Sequence, residues 1–163
     1  MFCLRGLMCY NFFKEVAVKT FAIIALSAAA AAALAAGEIT IKNASYGTVA
    51  YIDEDGTVKN SSYSTLGYID AETGTVKNSS YSTLGYVDGD TVKNSSYSTL
   101  GYYDGGTFKN ASYSTLGYME NGVIKNSSYG TELYYDGDVR PGRVEAFMVA
   151  YYFFFYRDFL DNG

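Results

Sequence analysis

Between residues 39 and 135 apolar and polar positions alternate in short runs, and clusters of Asp, Asn and Gly break them. Thr75-Val-Lys-Asn-Ser-Ser-Tyr81 and Thr83-Leu-Gly-Tyr-Val-Asp88 are typical runs. Successive side chains on a strand point to opposite faces. Val76, Asn78 and Ser80 therefore share one face, and Lys77, Ser79 and Tyr81 the other. In the second run Gly85 and Val87 oppose Leu84, Tyr86 and Asp88. β-branched residues, Gly, Asn and Ser all disfavour helix here. The pattern predicts two strands of about five to six residues per unit, the usual strand length. Turns are expected at Ser62-Tyr63-Ser64-Thr65 and its equivalents, and at the Asp/Asn-Gly clusters Asp70–Gly74, Asp88–Asp90, Asp104–Gly106 and Asn121-Gly122. Gly reaches positive φ without penalty, and Asp or Asn tolerates it.

These units are copies of one phrase. Lys59 to Tyr68 reads KNSSYSTLGY and returns almost letter for letter at Lys77, Lys93 and Lys109. Looser copies run from Lys42 to Tyr51 and from Lys125 to Tyr134. The asparagines Asn43, Asn60, Asn78, Asn94, Asn110 and Asn126 are 17, 18, 16, 16 and 16 residues apart. Such a period implies units that bury their apolar faces on one another, with length changes confined to loops at one end. Ile39–Asn43 and Thr131–Tyr135 are the incomplete ends. Pairing them closes the array and removes open edges. Leu133, in place of the usual Gly, marks that closing strand.

Two apolar runs depart from the pattern. Phe21 to Ala36 follows Lys14 and Lys19 and ends in Ala33-Leu-Ala35. A positive flank, an apolar core and a small-residue exit form a secretory signal. Cleavage is expected near Ala35 and Ala36, after a start at Met1 or Met8. The competing reading, an uncleaved N-terminal anchor, has a run slightly short of the about 20 residues a span needs. The second run, Ala146 to Tyr156, follows the turn signal Pro141-Gly142. It is too short to span a bilayer. As a helix apolar all round it needs protein on every side. Its length of about 16 Å matches a ring of short strands that it would thread, with Gly67, Gly85, Gly101 and Gly117 giving it room. Its Phe and Tyr content also suits a final aromatic strand.

The expected organisation is thus residues 1–36 as signal or anchor, 37–143 as a β-hairpin repeat barrel, and 144–163 as an aromatic plug and tail. The fold class is mainly β: a closed ring of about ten to twelve antiparallel strands, five- or six-fold, with a C-terminal hydrophobic helix through the centre.

Composition narrows function more than it defines it. There is no His or Trp, and the two cysteines, Cys3 and Cys9, precede the first apolar run. Without His the ordinary triad and a near-neutral proton shuttle are missing. Net charge is -5, and nothing resembles the basic patch that binds phosphate backbones. No nucleic-acid partner, cofactor or enzyme activity is expected.

The unit GTVKNSSYSTLGYxD, the signal-like N-terminus and the aromatic C-terminal run resemble the five-fold β-flower proteins of gut Bacteroidetes. The resemblance covers about residues 38–156. It implies a shallow ring of β-hairpins, similar in architecture to tubby C-terminal and phospholipid-scramblase barrels, in which a hydrophobic helix fills the centre. No catalytic residue is implied.

Three sets of residues are candidates for chemistry. Acidic turns such as Asp53-Glu-Asp-Gly56 carry oxygen ligands but no EF-hand spacing, and turn chemistry accounts for them. Each repeat holds Asn-x-Ser, an N-glycosylation pattern that copying of one structural strand also produces. The tyrosine rows Tyr63, Tyr81, Tyr97, Tyr113 and Tyr68, Tyr86, Tyr102, Tyr118 are the possible binding surface for a glycan, lipid or protein. Cross-strand stacking is their structural alternative. The expected function is an exported, non-enzymatic structural or binding module in the periplasm, at the cell surface or outside the cell. The alternatives are a lipid-binding barrel and a self-assembling extracellular β-protein.

Overall fold

The structure is a computed structural model, and it describes residues 37–157. Twelve antiparallel strands close into a barrel in which each strand neighbours the next in sequence. The strands are β1 (Ile39–Asn43), β2 (Thr48–Ile52), β3 (Thr57–Asn60), β4 (Thr65–Asp70), β5 (Thr75–Asn78) and β6 (Thr83–Asp88). They continue as β7 (Thr91–Asn94), β8 (Thr99–Asp104), β9 (Thr107–Asn110), β10 (Thr115–Glu120), β11 (Val123–Asn126) and β12 (Thr131–Gly137). The two end segments pair as expected, Ile39 to Asn43 against Gly137 to Leu133. Of the two symmetry counts, six is correct. The six asparagine turns define hairpins β1β2 through β11β12. Only five hairpins have a covalent turn at the opposite rim, because there the sixth is split between β12 and β1.

The first strand of each unit is shorter than the alternation suggests. It stops at the asparagine, after five residues in β1 and four in the others, and Ser79 and Ser80 belong to the turn. Ser80 therefore does not share a strand face with Val76. The turn spans residues such as Ser61 to Ser64, and Thr65 already pairs with Lys59. Each returning strand carries one bulge, at Val49, Leu66, Leu84, Leu100, Leu116 and Glu132. A bulge places two residues against one and sharpens the twist. Twist of this kind lets short strands close a ring.

Alternation alone left the inward face open; burial decides it. The small face is inside. β3, β5, β7, β9 and β11 contribute Val58, Val76, Val92, Phe108 and Ile124, and β1 contributes Ile41, all fully buried. The even strands contribute Ala50, Gly67, Gly85, Gly101, Gly117 and Leu133 at one level. Two residues further on come Ile52, Ile69, Val87, Tyr103, Met119 and Tyr135. The wall lysines and Tyr51, Tyr68, Tyr86, Tyr102, Tyr118 and Tyr134 face out.

The C-terminal run is a helix, not a strand. Helix α1 (Arg143–Tyr151) continues as a π-helical turn, Tyr152–Tyr156. The Arg157 N–H donates to the Tyr152 carbonyl five residues back, at 3.0 Å. Phe147 through Phe154 are buried. A Cβ on Gly117, Gly101, Gly85 or Gly67 would meet, in turn, Tyr152 at 3.2 Å, Phe153 at 2.7 Å, Phe154 at 2.7 Å and Phe155 at 2.8 Å. Four consecutive aromatic rings thus face four consecutive glycine strands. Bonding from i to i+5 winds more residues per turn than the α-helix. Consecutive side chains are then separated by less than the α-helical angle, which brings them nearer the spacing of a six-fold ring. Ala50 and Leu133 occupy the two equivalent positions of the ring, and both are fully buried. Leu133 therefore fills the interior in addition to closing the barrel. Each fully buried large apolar side chain contributes about 1.5–3 kcal/mol, so the plug is comparable in worth to a small domain's net stability.

Candidate functional site

The barrel has two different rims. At one, six turns repeat with the same geometry. Asn60 shows it: its Oδ1 accepts hydrogen bonds from the N–H groups of Ser62 and Ser64 at 2.9 and 3.0 Å. The Tyr63 N–H donates to the Asn60 carbonyl at 2.9 Å, and the Asn60 N–H donates to the Ser64 carbonyl. This is a three-residue hairpin loop whose last residue takes the left-handed conformation, a position that usually selects Gly. Here it is Tyr in all six copies: Tyr46, Tyr63, Tyr81, Tyr97, Tyr113 and Tyr129, with φ between 60° and 64°. An L-residue other than Gly accepts about 1–2 kcal/mol of strain there.

Stacking offsets that strain. Each loop tyrosine lies on a strand tyrosine of the preceding repeat: Tyr63 on Tyr51, Tyr81 on Tyr68, Tyr97 on Tyr86, Tyr113 on Tyr102 and Tyr129 on Tyr118. Tyr46 lies on Tyr134 and stitches the β12–β1 seam in the same way. Centroids are 4.3–4.5 Å apart and the planes are within 11–16°. Such pairs add about 0.5–1.5 kcal/mol beyond burial. Six pairs therefore bridge six seams between hairpins. The partner's hydroxyl raises the phenol pKa of Tyr46, Tyr63, Tyr68, Tyr86, Tyr102 and Tyr118 above its ordinary value. The outer face of each loop ring stays open, with these residues 59–66% exposed.

All eight tyrosines expected from the sequence lie on this belt, but the two rows combine across repeats rather than within them. Tyr46, Tyr51, Tyr129 and Tyr134 were missed and complete it. They sit three and eight residues after Asn43 and Asn126, the offsets of every internal copy, so the looser end repeats already carried the signal. The expected cleavage positions Ala35 and Ala36 lie outside the described residues.

The other rim is acidic and irregular. Its turns hold Asp53-Glu-Asp-Gly56, Ala71–Gly74, Gly89-Asp90, Gly105-Gly106 and Asn121-Gly122. Lysines from the wall reach toward it: Lys59 to Asp53, Lys93 to Asp88 and Lys109 to Asp104, at 2.6, 2.7 and 3.2 Å. Arg143 of α1 donates to the Glu54 carbonyl at 2.7 Å and pairs with Glu72 at 3.1 Å. A cleft of about 270 Å³ opens between the 71–74 and 89–90 turns, beside Ala146 and Ala150. Its carboxylates are already engaged: Asp70 with Thr73, Glu72 with Arg143 and Asp88 with Lys93. No group of three or more His, Cys, Asp or Glu that would hold a metal occurs among the described residues.

Where copying stops, Glu132 replaces the Leu or Val of the other bulges. It receives Arg157 at 2.9 Å. Arg157 in turn lies 5.5 Å from the Tyr152 ring centroid. The second Glu132 carboxylate oxygen and the Tyr152 hydroxyl are buried without a hydrogen-bond partner. Burial raises the Tyr152 phenol pKa and moves Tyr151 up to about 12.

Residues 38–156 match the model of the 5-fold beta-flower protein family. The chain is a β-flower protein. No curated protein and no solved structure matches it. This β-flower closes with six asparagine-turn hairpins, one of them split at the acidic rim. No helix among the described residues is long and apolar enough to cross a membrane.

Proposed function

We infer that this β-flower is an exported, non-enzymatic module whose belt of six tyrosine pairs is its contact surface. One observation carries the reading: an exposed Tyr holds a left-handed position six times over, where Gly would be free of strain. Strain retained at a solvent-facing position points toward function, and Tyr is enriched at recognition surfaces. The signal-like residues 21–36 support export. The lipid reading needs space inside the barrel, and Phe147 to Phe154 occupy that space. The self-assembly reading needs open strand edges, and the described strands close on themselves.

The test is tyrosine footprinting of producing cells, combined with the intact mass of the exported chain. A mass beginning near Ala36 or Gly37 and loop tyrosines less reactive on cells than in purified protein are expected. A chain retained inside the cell with its N-terminus intact sinks export. Equal tyrosine reactivity in both settings sinks the contact surface.

A further inference from the structure

Resting on the reading of the belt as a contact surface, we propose that its ligand is an uncharged glycan, gripped by several tyrosine pairs at once. Charge at the two rims points that way. None of the six turns from Asn43 to Gly47, Asn60 to Ser64, Asn78 to Ser82, Asn94 to Ser98, Asn110 to Ser114 and Asn126 to Gly130 contains a charged residue. Their side chains are amides, hydroxyls and phenols. Asp53, Asp88 and Asp104 stand at the opposite rim and draw the lysine ammonium groups toward them. A chain of net charge -5 thus presents its aromatic belt beside an uncharged rim.

That chemistry matches one class of ligand. A pyranose ring has C–H groups on its faces and hydroxyls around its edge. The open face of a loop tyrosine suits the first. The Ser hydroxyls of the same turn, such as Ser61, Ser62 and Ser64, suit the second, since each both donates and accepts. These serines are exposed, and the Asn60 side-chain oxygen is occupied by the turn's own N–H groups. The stack on Tyr68 holds the Tyr81 ring in place before any ligand arrives, which reduces the ordering cost of binding. An anionic polymer or lipid surface would call for free basic groups. Of the six wall lysines, Lys59, Lys93, Lys109 and Lys125 pair with acidic groups and Lys77 acts electrostatically on Asp70, which leaves Lys42.

Repetition supplies the affinity. A single ring against a single sugar binds weakly, whereas linked sites gain by effective concentration, with avidity exceeding one site by about 10²–10⁴. Neighbouring pairs are equivalent, so a long chain that repeats one sugar can engage several.

The experiment is gel electrophoresis of the purified protein through a neutral β-glucan, a galactomannan, starch and an anionic uronan, with sedimentation against phosphatidylglycerol vesicles alongside. Retardation by at least one neutral polysaccharide is expected. The variant carrying Tyr81→Ala, Tyr97→Ala and Tyr113→Ala should bind at least about tenfold more weakly, and Tyr97→Ala alone should lose less. Tyr81→Phe, Tyr97→Phe and Tyr113→Phe together keep the rings and should keep most of the binding, which separates the contact from unfolding. Failure of every neutral polymer overturns the proposal. Tyrosine-dependent binding to the uronan or the vesicles overturns the ligand class and leaves the belt as a contact surface. Retardation that the alanine and phenylalanine variants leave unchanged overturns both.

Discussion

Both rims of the barrel need positive φ, and they meet the need differently. The acidic rim uses Gly, with Gly56, Gly74, Gly89, Gly105, Gly106 and Gly122 at positive φ, and Asn once, at Asn121. The tyrosine rim uses Tyr at each of its six turns. At Gly56 and Gly74 what surrounds the residue accounts for the difference. A Cβ on Gly56 or Gly74 would lie 1.8 or 1.9 Å from the carbonyl of Ile69 or Val87. At the tyrosine rim the side chain is exposed and finds a ring to lie on. Where space is lacking Gly is required; where a stacking partner exists, strain of about 1–2 kcal/mol is tolerated. The tyrosine rim is copied closely because every turn has the same partner. The acidic rim varies in length because its turns share only the need to reverse the chain.

The largest effect that tests this contrast lies within the acidic rim. Gly74→Ala should cost about 3 kcal/mol, from positive φ together with overpacking. Gly89→Ala has nothing within 4 Å of the new Cβ and should cost about 1 kcal/mol, the conformational part alone. Urea midpoints compare the two, and equal costs would remove close contact as the cause.

A smaller effect belongs to the tyrosine rim. Tyr81→Ala keeps the left-handed strain and loses the stack on Tyr68, for a cost of about 1 kcal/mol. Tyr81→Gly loses the same stack but is released from strain, so its thermal midpoint should lie close to that of the unaltered protein. If the Gly variant melts as low as the Ala variant, the strain argument is wrong.

The smallest effect separates the rims by pH. Thr73, through its hydroxyl and N–H, holds the Asp70 carboxyl below its ordinary value, and Lys93 does the same for Asp88. Their contribution is present above the unfolded value of 3.8 and is lost as pH falls through the lower folded values. The tyrosine phenols shift the other way. Their contribution is present below the unfolded value of 10.0 and is lost as pH rises through the higher folded values. Thermal midpoints should therefore be flat near neutrality and fall at both extremes. Asp70→Asn with Asp88→Asn should flatten only the acid limb. The alkaline limb is shared between the belt and the interior Tyr103, Tyr135, Tyr151 and Tyr152, and a change in it would break the separation of the two limbs.

Much of the architecture could be read directly. The period of Asn43 through Asn126, the pairing of the two incomplete ends and the room that the glycines give an aromatic helix all follow from residue spacing. The candidate surface was legible in part. Eight of its tyrosines stood in near-exact copies, and the other four in the degenerate end repeats. Their pairing was not legible, because Tyr68 and Tyr81 belong to different repeats and meet only when neighbouring hairpins dock.

By itself the sequence determined local conformation and period: strands from alternation, turns from Asn and Gly, and a buried run from its lack of polar residues. Those properties depend on neighbours within a few positions. Only the tertiary structure decided that six units close the ring, that the small face turns inward, and that the helix unwinds into a π turn to aim Tyr152 to Phe155 at successive glycines. Each of these depends on closure. Closure sets the curvature of the wall, the curvature sets the room inside, and the plug adopts the winding that fills it.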